Sequence, residues 1–141
     1  MKQAEMPKPE QTKSDVNSSL MVLYVKDQAA SARFYAKVLD RRPDFDVPGM
    51  TQFSLGSGFL LGLMPEAGIK RLLGDALPDP AHGNGIPRAE IYLSVNDPVS
   101  YHQRALDAGA RELSPMMPRN WGERAAYSID PDGHVLAFGG K

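Results

Sequence analysis

Glu90, Tyr92 and Ser94 alternate with Ile91, Leu93 and Val95 over six consecutive residues. A period of two puts a carboxylate, a phenol and a hydroxyl on one face of a strand and three aliphatic side chains on the other. A charged residue that opens an otherwise apolar strand needs a partner. Glu90 therefore reads as a general base or as an anion that holds a cationic ligand, with an ion pair to Arg88 or Arg124 as the structural alternative. Trp121 offers a flat face for a planar ligand, and its ring quadrupole favours a cation; sealing a pocket edge or a dimer contact is the other use of such a residue. Tyr127 supplies a hydroxyl donor three residues ahead of Asp130-Pro131-Asp132-Gly133, or else packs on a neighbouring strand.

Bond-making chemistry is poorly supplied. His82, His102 and His134 fall in a Pro/Gly-rich stretch, a helix and a hairpin, and their spacing matches no zinc motif. His134 is expected to support the turn that precedes it. The chain has no cysteine, which removes disulfides, thiolate ligands and a thiol nucleophile together. No Ser-x-Gly elbow occurs, and Gly83-Asn84-Gly85 lacks the preceding strand and following Lys-Ser/Thr of a phosphate loop. Met64, at the end of a strand, and Met116 and Met117, in the loop expected before Trp121, suit irregular apolar surface. A net charge of −1 argues against nucleic acid or an acidic membrane as partner. No apolar run approaches a bilayer span. Met1–Ser19 lacks the apolar core of a secretory signal, so a cytoplasmic location is expected.

The elements that position these residues occur twice. Leu23-Tyr24-Val25-Lys26-Asp27 and Leu93-Ser94-Val95-Asn96-Asp97 lie 70 positions apart, and each runs from an apolar strand to an Asp that caps a helix. The first strand, from Leu20, reads as buried on both faces. Ala30, Phe34, Tyr35, Val38 and Leu39 form the stripe of the first helix, which Arg41-Arg42-Pro43 ends. Phe45–Val47, Thr51–Leu55 and Phe59–Met64 follow as short strands. In the second unit Pro98 occupies the first helical position, Val99, His102, Ala105 and Leu106 make the stripe, and Gly109 stops it. Ala125–Ile129 and Val135–Phe138 flank the Asp-Pro-Asp-Gly turn as a hairpin. Residues 1–18 read as a polar tail and 19–141 as one domain, with modules at about 20–64 and 88–140. Between them residues 65–87, rich in Pro and Gly with a weak helical piece at Ile69–Leu73, read as a linker.

Two βαβββ units with Asp-capped helices, Phe34-Tyr35 and Val38-Leu39 on the first helix, and Trp121–Phe138 with its terminal Asp-Pro-Asp-Gly-His hairpin resemble the vicinal oxygen chelate superfamily. That group includes glyoxalase I, extradiol dioxygenases, methylmalonyl-CoA epimerase and the fosfomycin and bleomycin resistance proteins. The resemblance spans about Leu20–Gly140 and implies an α+β fold, two modules rolled into a cupped mixed sheet, in a homodimer that completes its cups across the interface. It also implies metal ligands on the first and last strands of each half, at Leu20, Gly62, Glu90 and Ala137. Only Glu90 has a donor, whereas a catalytic divalent ion takes three or more from the protein. The Trp121-Gly122-Glu123-Arg124 stretch is similar to an element of drug-binding members, and the Tyr127 position faces the pocket in fosfomycin-type ones. The resulting expectation is metal-independent, cofactor-free binding of a small, partly planar molecule, of the antibiotic-sequestering kind, by Glu90, Tyr92, Trp121 and Tyr127. The competing expectation is a metal-dependent lyase or isomerase like glyoxalase I.

Overall fold

A computed structural model describes residues 15–141. The first module runs β1 (Ser19–Val25), α1 (Gln28–Leu39), β2 (Phe45–Val47), β3 (Met50–Ser54) and β4 (Phe59–Pro65). The second runs β5 (Glu90–Ser94), α3 (Pro98–Asp107), β6 (Arg111–Pro118), β7 (Arg124–Ile129) and β8 (Val135–Gly140). Between them lie α2 (Glu66–Leu73) and two short 3-10 turns at Gly74–Ala76 and Pro80–Gly83. The duplication seen in the sequence is a duplication of topology. The sheets have orders β1-β4-β3-β2 and β5-β8-β7-β6, each with one parallel pair next to its first strand and antiparallel pairs beyond.

Both long helices start the same way. The Asp27 carboxylate accepts from the Ala30 amide, and the Asp97 carboxylate accepts from the Ser100 amide, satisfying donors that the first helical turn leaves free. Asp40, at φ 54°, closes α1 before the predicted Arg41-Arg42-Pro43 stop. The inward faces of both sheets and of α1 and α3 share one core that includes Leu23, Val25, Phe34, Val38, Phe53, Leu61, Leu63, Leu136 and Phe138. Each such aliphatic or aromatic side chain stabilises the fold by about 1.5–3 kcal/mol on burial. Across the module boundary Arg104 donates to the Val38 carbonyl, while its guanidinium lies over the ring of Tyr101 on its own helix.

Four details differ from the sequence reading. The first strand is not buried on both faces, since Leu20, Met21 and Tyr24 are exposed; β1 lies at the edge of its sheet. Both helical stripes are shifted: Ser31 rather than Ala30 is buried on α1, and Pro98 rather than Val99 on α3. The helical piece of the linker is a full eight residues, α2. Finally, Met116 and Met117 lie in a strand, β6, where a loop was expected. Pro115 and Pro118 masked it; proline is tolerated there because β6 is an edge strand with two register irregularities.

Candidate functional site

The register of the second sheet arranges its outer face in rows. Glu90 pairs with Val135, which pairs with Ile129. Tyr92 leads to Ala137, Tyr127 and Ser114, and Ser94 leads to Gly139, Ala125 and Met117. Residues two apart on β5 are about 6.6 Å apart along the strand. Tyr92 and Tyr127 are therefore two strands apart on one row, with only the methyl of Ala137 between them.

Trp121 stands on the turn that joins β6 to β7. Its indole N–H donates to the Tyr92 hydroxyl oxygen at 3.0 Å, and the two rings meet edge to face at 6.4 Å. The Tyr92 hydroxyl in turn donates to Glu123 Oε1 at 2.6 Å, and the Ser94 hydroxyl donates to Glu123 Oε2 at 2.6 Å. A Cβ on Gly139 would fall on the Tyr92 phenol and against the Glu123 carboxylate. The missing side chain on β8 is thus what lets Tyr92 lie across the sheet to reach Glu123. The hydrogen bonds from Ser94 and Tyr92 lower the Glu123 pKa. Burial and the bond to Glu123 raise that of Tyr92. The face therefore presents a fixed carboxylate beside two rings, with Trp121 half exposed at 50%.

Arg119 frames the other side. Its guanidinium donates to the Ala125 and Pro115 carbonyls and to the Ser114 hydroxyl, and it lies 5.1 Å from the Tyr127 ring centre. Sequence reasoning missed Arg119 and gave Glu123 no role. Glu123 carried a readable signal, two residues past a turn tryptophan. Arg119 carried none, because its partners depend on the irregular β6–β7 pairing. Glu90 opens the same face but stands apart from the Trp121–Tyr92–Glu123 chain. It is exposed and forms no ion pair with Arg88 or Arg124.

The metal positions implied by resemblance do not fit a metal. Leu20, Gly62 and Ala137 present carbon, and the residues in register beside Leu20 and Glu90 are Leu60 and Val135. Leu20 Cδ1 and Met50 Sδ cover Gly62, at 3.0 and 3.2 Å from where its Cβ would stand. Among the described residues no group of three or more His, Asp or Glu side chains is placed to hold a metal ion.

A duplicated βαβββ chain with paired mixed sheets defines the class of protein, and comparison with known proteins agrees. The sequence model of the Glyoxalase/Bleomycin resistance protein/Dioxygenase superfamily matches residues 18–138, and the chain belongs to that superfamily. An uncharacterized protein of Mycobacterium bovis is 29% identical over 120 residues, covering 83% of this chain and 78% of the relative. A glyoxalase-related enzyme from Fulvimarina pelagi superposes with a TM-score of 0.72 at 24% identity, over 87% of this chain and 86% of that one. A glyoxalase/bleomycin resistance protein/dioxygenase from Nocardioides gives 0.70 at 22% identity, over 92% and 86%. At these identities the two structures establish the fold alone. No helix of the described residues is long and apolar enough to cross a membrane.

Proposed function

We propose that this protein binds a planar organic cation without a metal or other cofactor, on the outer face of its second sheet. The observation that carries the reading is the chain Trp121–Tyr92–Glu123: two rings meeting edge to face and a carboxylate held charged by two hydroxyl donors. A cation over the indole gains from its quadrupole, and more so where water is excluded. Tyr127 widens the apolar floor, and Glu90 adds negative charge at the near end of β5. Antibiotic sequestration fits this chemistry, because binding alone then suffices for function. A glyoxalase-type lyase needs several donors around a metal, and of the four family positions only Glu90 supplies one.

The face is open in the single chain, and ligand sites are usually concave. A second copy of the chain is the cover we infer, forming a homodimer. The test is a titration of Trp121 fluorescence with a planar aromatic cation, such as a bleomycin-type antibiotic or an acridinium dye. It is run alongside the metal content of the purified protein and its mass in solution. Saturable quenching that is unaffected by chelator and weakened in Glu123→Gln supports the reading. A tightly held divalent ion in near one-to-one ratio, or binding that needs added metal, sinks it.

A further inference from the structure

The segment Gly83–Ala89 clamps onto the Asp130–His134 turn on the other side of the second module. The Val135 amide donates to the Ala89 carbonyl at 3.2 Å. Gly133, at φ +96°, sits so close to the Gly85 backbone that a Cβ there would overlap its carbonyl. Between this clamp, β1 and the start of α2 lies a cavity of about 140 Å³. That is close to the volume that holds one benzene-sized guest.

Its polar lining is unusual in composition. Arg88, Glu66, Asp132, Asn84 and His134 all border it. Arg88 has no ion pair with a carboxylate among the described residues, and its guanidinium rests in a hollow that a Cβ on Gly83 would fill. His134 is fixed by its other side: Nδ1 lies 2.9 Å from Asp130 Oδ2, a buried carboxylate that also accepts from the Tyr35 hydroxyl. That contact takes Nδ1 and leaves Nε2 as the ring's other polar atom. Asp132 is likewise held, its Oδ1 accepting from the Lys26 amide. The cavity lining thus holds one forked donor matched to a carboxylate and two carboxylates, Glu66 and Asp132, suited to an ammonium group.

We propose that this cavity is a second ligand site, for a small zwitterion of the α-amino acid class. The carboxylate of the ligand faces Arg88, and its ammonium group faces the carboxylates of Asp132 and Glu66. The volume limits the ligand to a short side chain. The site is independent of the aromatic face and stands whether or not that face binds cations.

The test uses the full chain labelled with ¹⁵N and titrated with L-alanine and L-serine, with acetate and methylammonium as single-charge controls. Saturable shifts are expected at Gly83, Gly85, Gly133 and the Arg88 side chain, with Trp121 emission unchanged. Arg88→Gln, an exposed residue whose loss leaves folding intact, weakens binding on the order of tenfold to a hundredfold, the worth of a charge-assisted hydrogen bond. Asp132→Asn keeps an oxygen for the Lys26 amide and removes the charge; it weakens binding with little change in melting temperature. The absence of saturable shifts, equal binding of acetate or methylammonium, or full affinity in Arg88→Gln would each overturn the proposal.

Discussion

The hydroxyl of Tyr35 ties the first module to the second, and removing it is the sharpest test of how the halves are joined. Tyr35 on α1 is 2% exposed and donates to Asp130 Oδ2 at 2.5 Å, ahead of the β7–β8 turn. Asp130 is 4% exposed; its Oδ1 accepts from the Asp132 and His134 amides, and its Oδ2 also meets the His134 ring. Tyr35→Phe deletes one donor to a buried carboxylate and leaves the ring in place. A hydrogen bond to a charged group is worth about 1.5–3 kcal/mol. At roughly 4 °C per kcal/mol for a chain of this size, the melting temperature falls by about 6–12 °C. The pH dependence has a defined sign. Burial opposes the Asp130 charge, but hydrogen bonds and charge from His134, with the Tyr35 hydroxyl, outweigh it and lower the pKa. A carboxylate lowered on folding stabilises fully above its unfolded pKa, about 3.9, and that stability is lost as pH falls through the folded value. The gap between wild type and Tyr35→Phe therefore narrows below about pH 4. Tyr35 itself is raised well above its ordinary value of 10.0 by burial, then by the Asp130 charge. Wild-type stability accordingly falls as pH rises past about 10, a loss that Tyr35→Phe lacks. Urea unfolding of wild type, Tyr35→Phe, Asp130→Asn and the double variant measures the coupling. If the two substitutions are additive, or the single loss stays under about 0.5 kcal/mol, the account of this junction fails.

Gly133→Ala puts a Cβ into the Gly85 carbonyl and should destabilise by more than about 2 kcal/mol in urea melts. Gly109→Ala, at φ +115° with open space around it, should show only the conformational cost of about 1–2 kcal/mol; equal losses would refute the clamp. Gly139→Ala drives Tyr92 off β8 and should shift Trp121 emission and weaken cation binding, whereas Gly62→Ala meets only the flexible ends of Leu20 and Met50 and should leave both unchanged. Glu90→Gln should weaken binding of the cationic probe while the melting temperature holds, because Glu90 is exposed and has no ion pair among the described residues; a marked thermal loss would make it a structural residue.

Most of the fold was legible because its signals are local. Asp27 and Asp97 cap helices through their own neighbours, and Asp-Pro-Asp-Gly makes a turn whatever surrounds it. The misreadings share a different cause. β1 looked buried because its residues are apolar on both sides, and sequence does not show which strand ends at an edge. β6 was lost to Pro115 and Pro118, which are compatible with an edge strand and with little else in a sheet. Tyr92 and Trp121 were found as ring-bearing residues facing a presumed cup. That Glu123 joins them depends on Gly139 being empty at that point of β8, a fact of register that spacing along one strand does not reveal.

The same device recurs in both halves with different content. Tyr92 pairs with Ala137 and covers the next glycine along β8, Gly139; Leu20 pairs with Leu60 and covers the next glycine along β4, Gly62. In each case a long side chain on the first strand lies diagonally over a glycine two residues beyond its partner. The two instances are two residues out of phase, since Glu90, 70 positions on, not Tyr92, corresponds to Leu20. In the first sheet the covering group is aliphatic, and with Met50 it leaves only carbon and thioether atoms over the glycine. In the second the covering group carries a hydroxyl, which needs a partner when pressed against a sheet, and Glu123 and Trp121 satisfy it. The difference between an inert face and a charged aromatic one therefore reduces to which side chain is laid over the glycine and what it can reach.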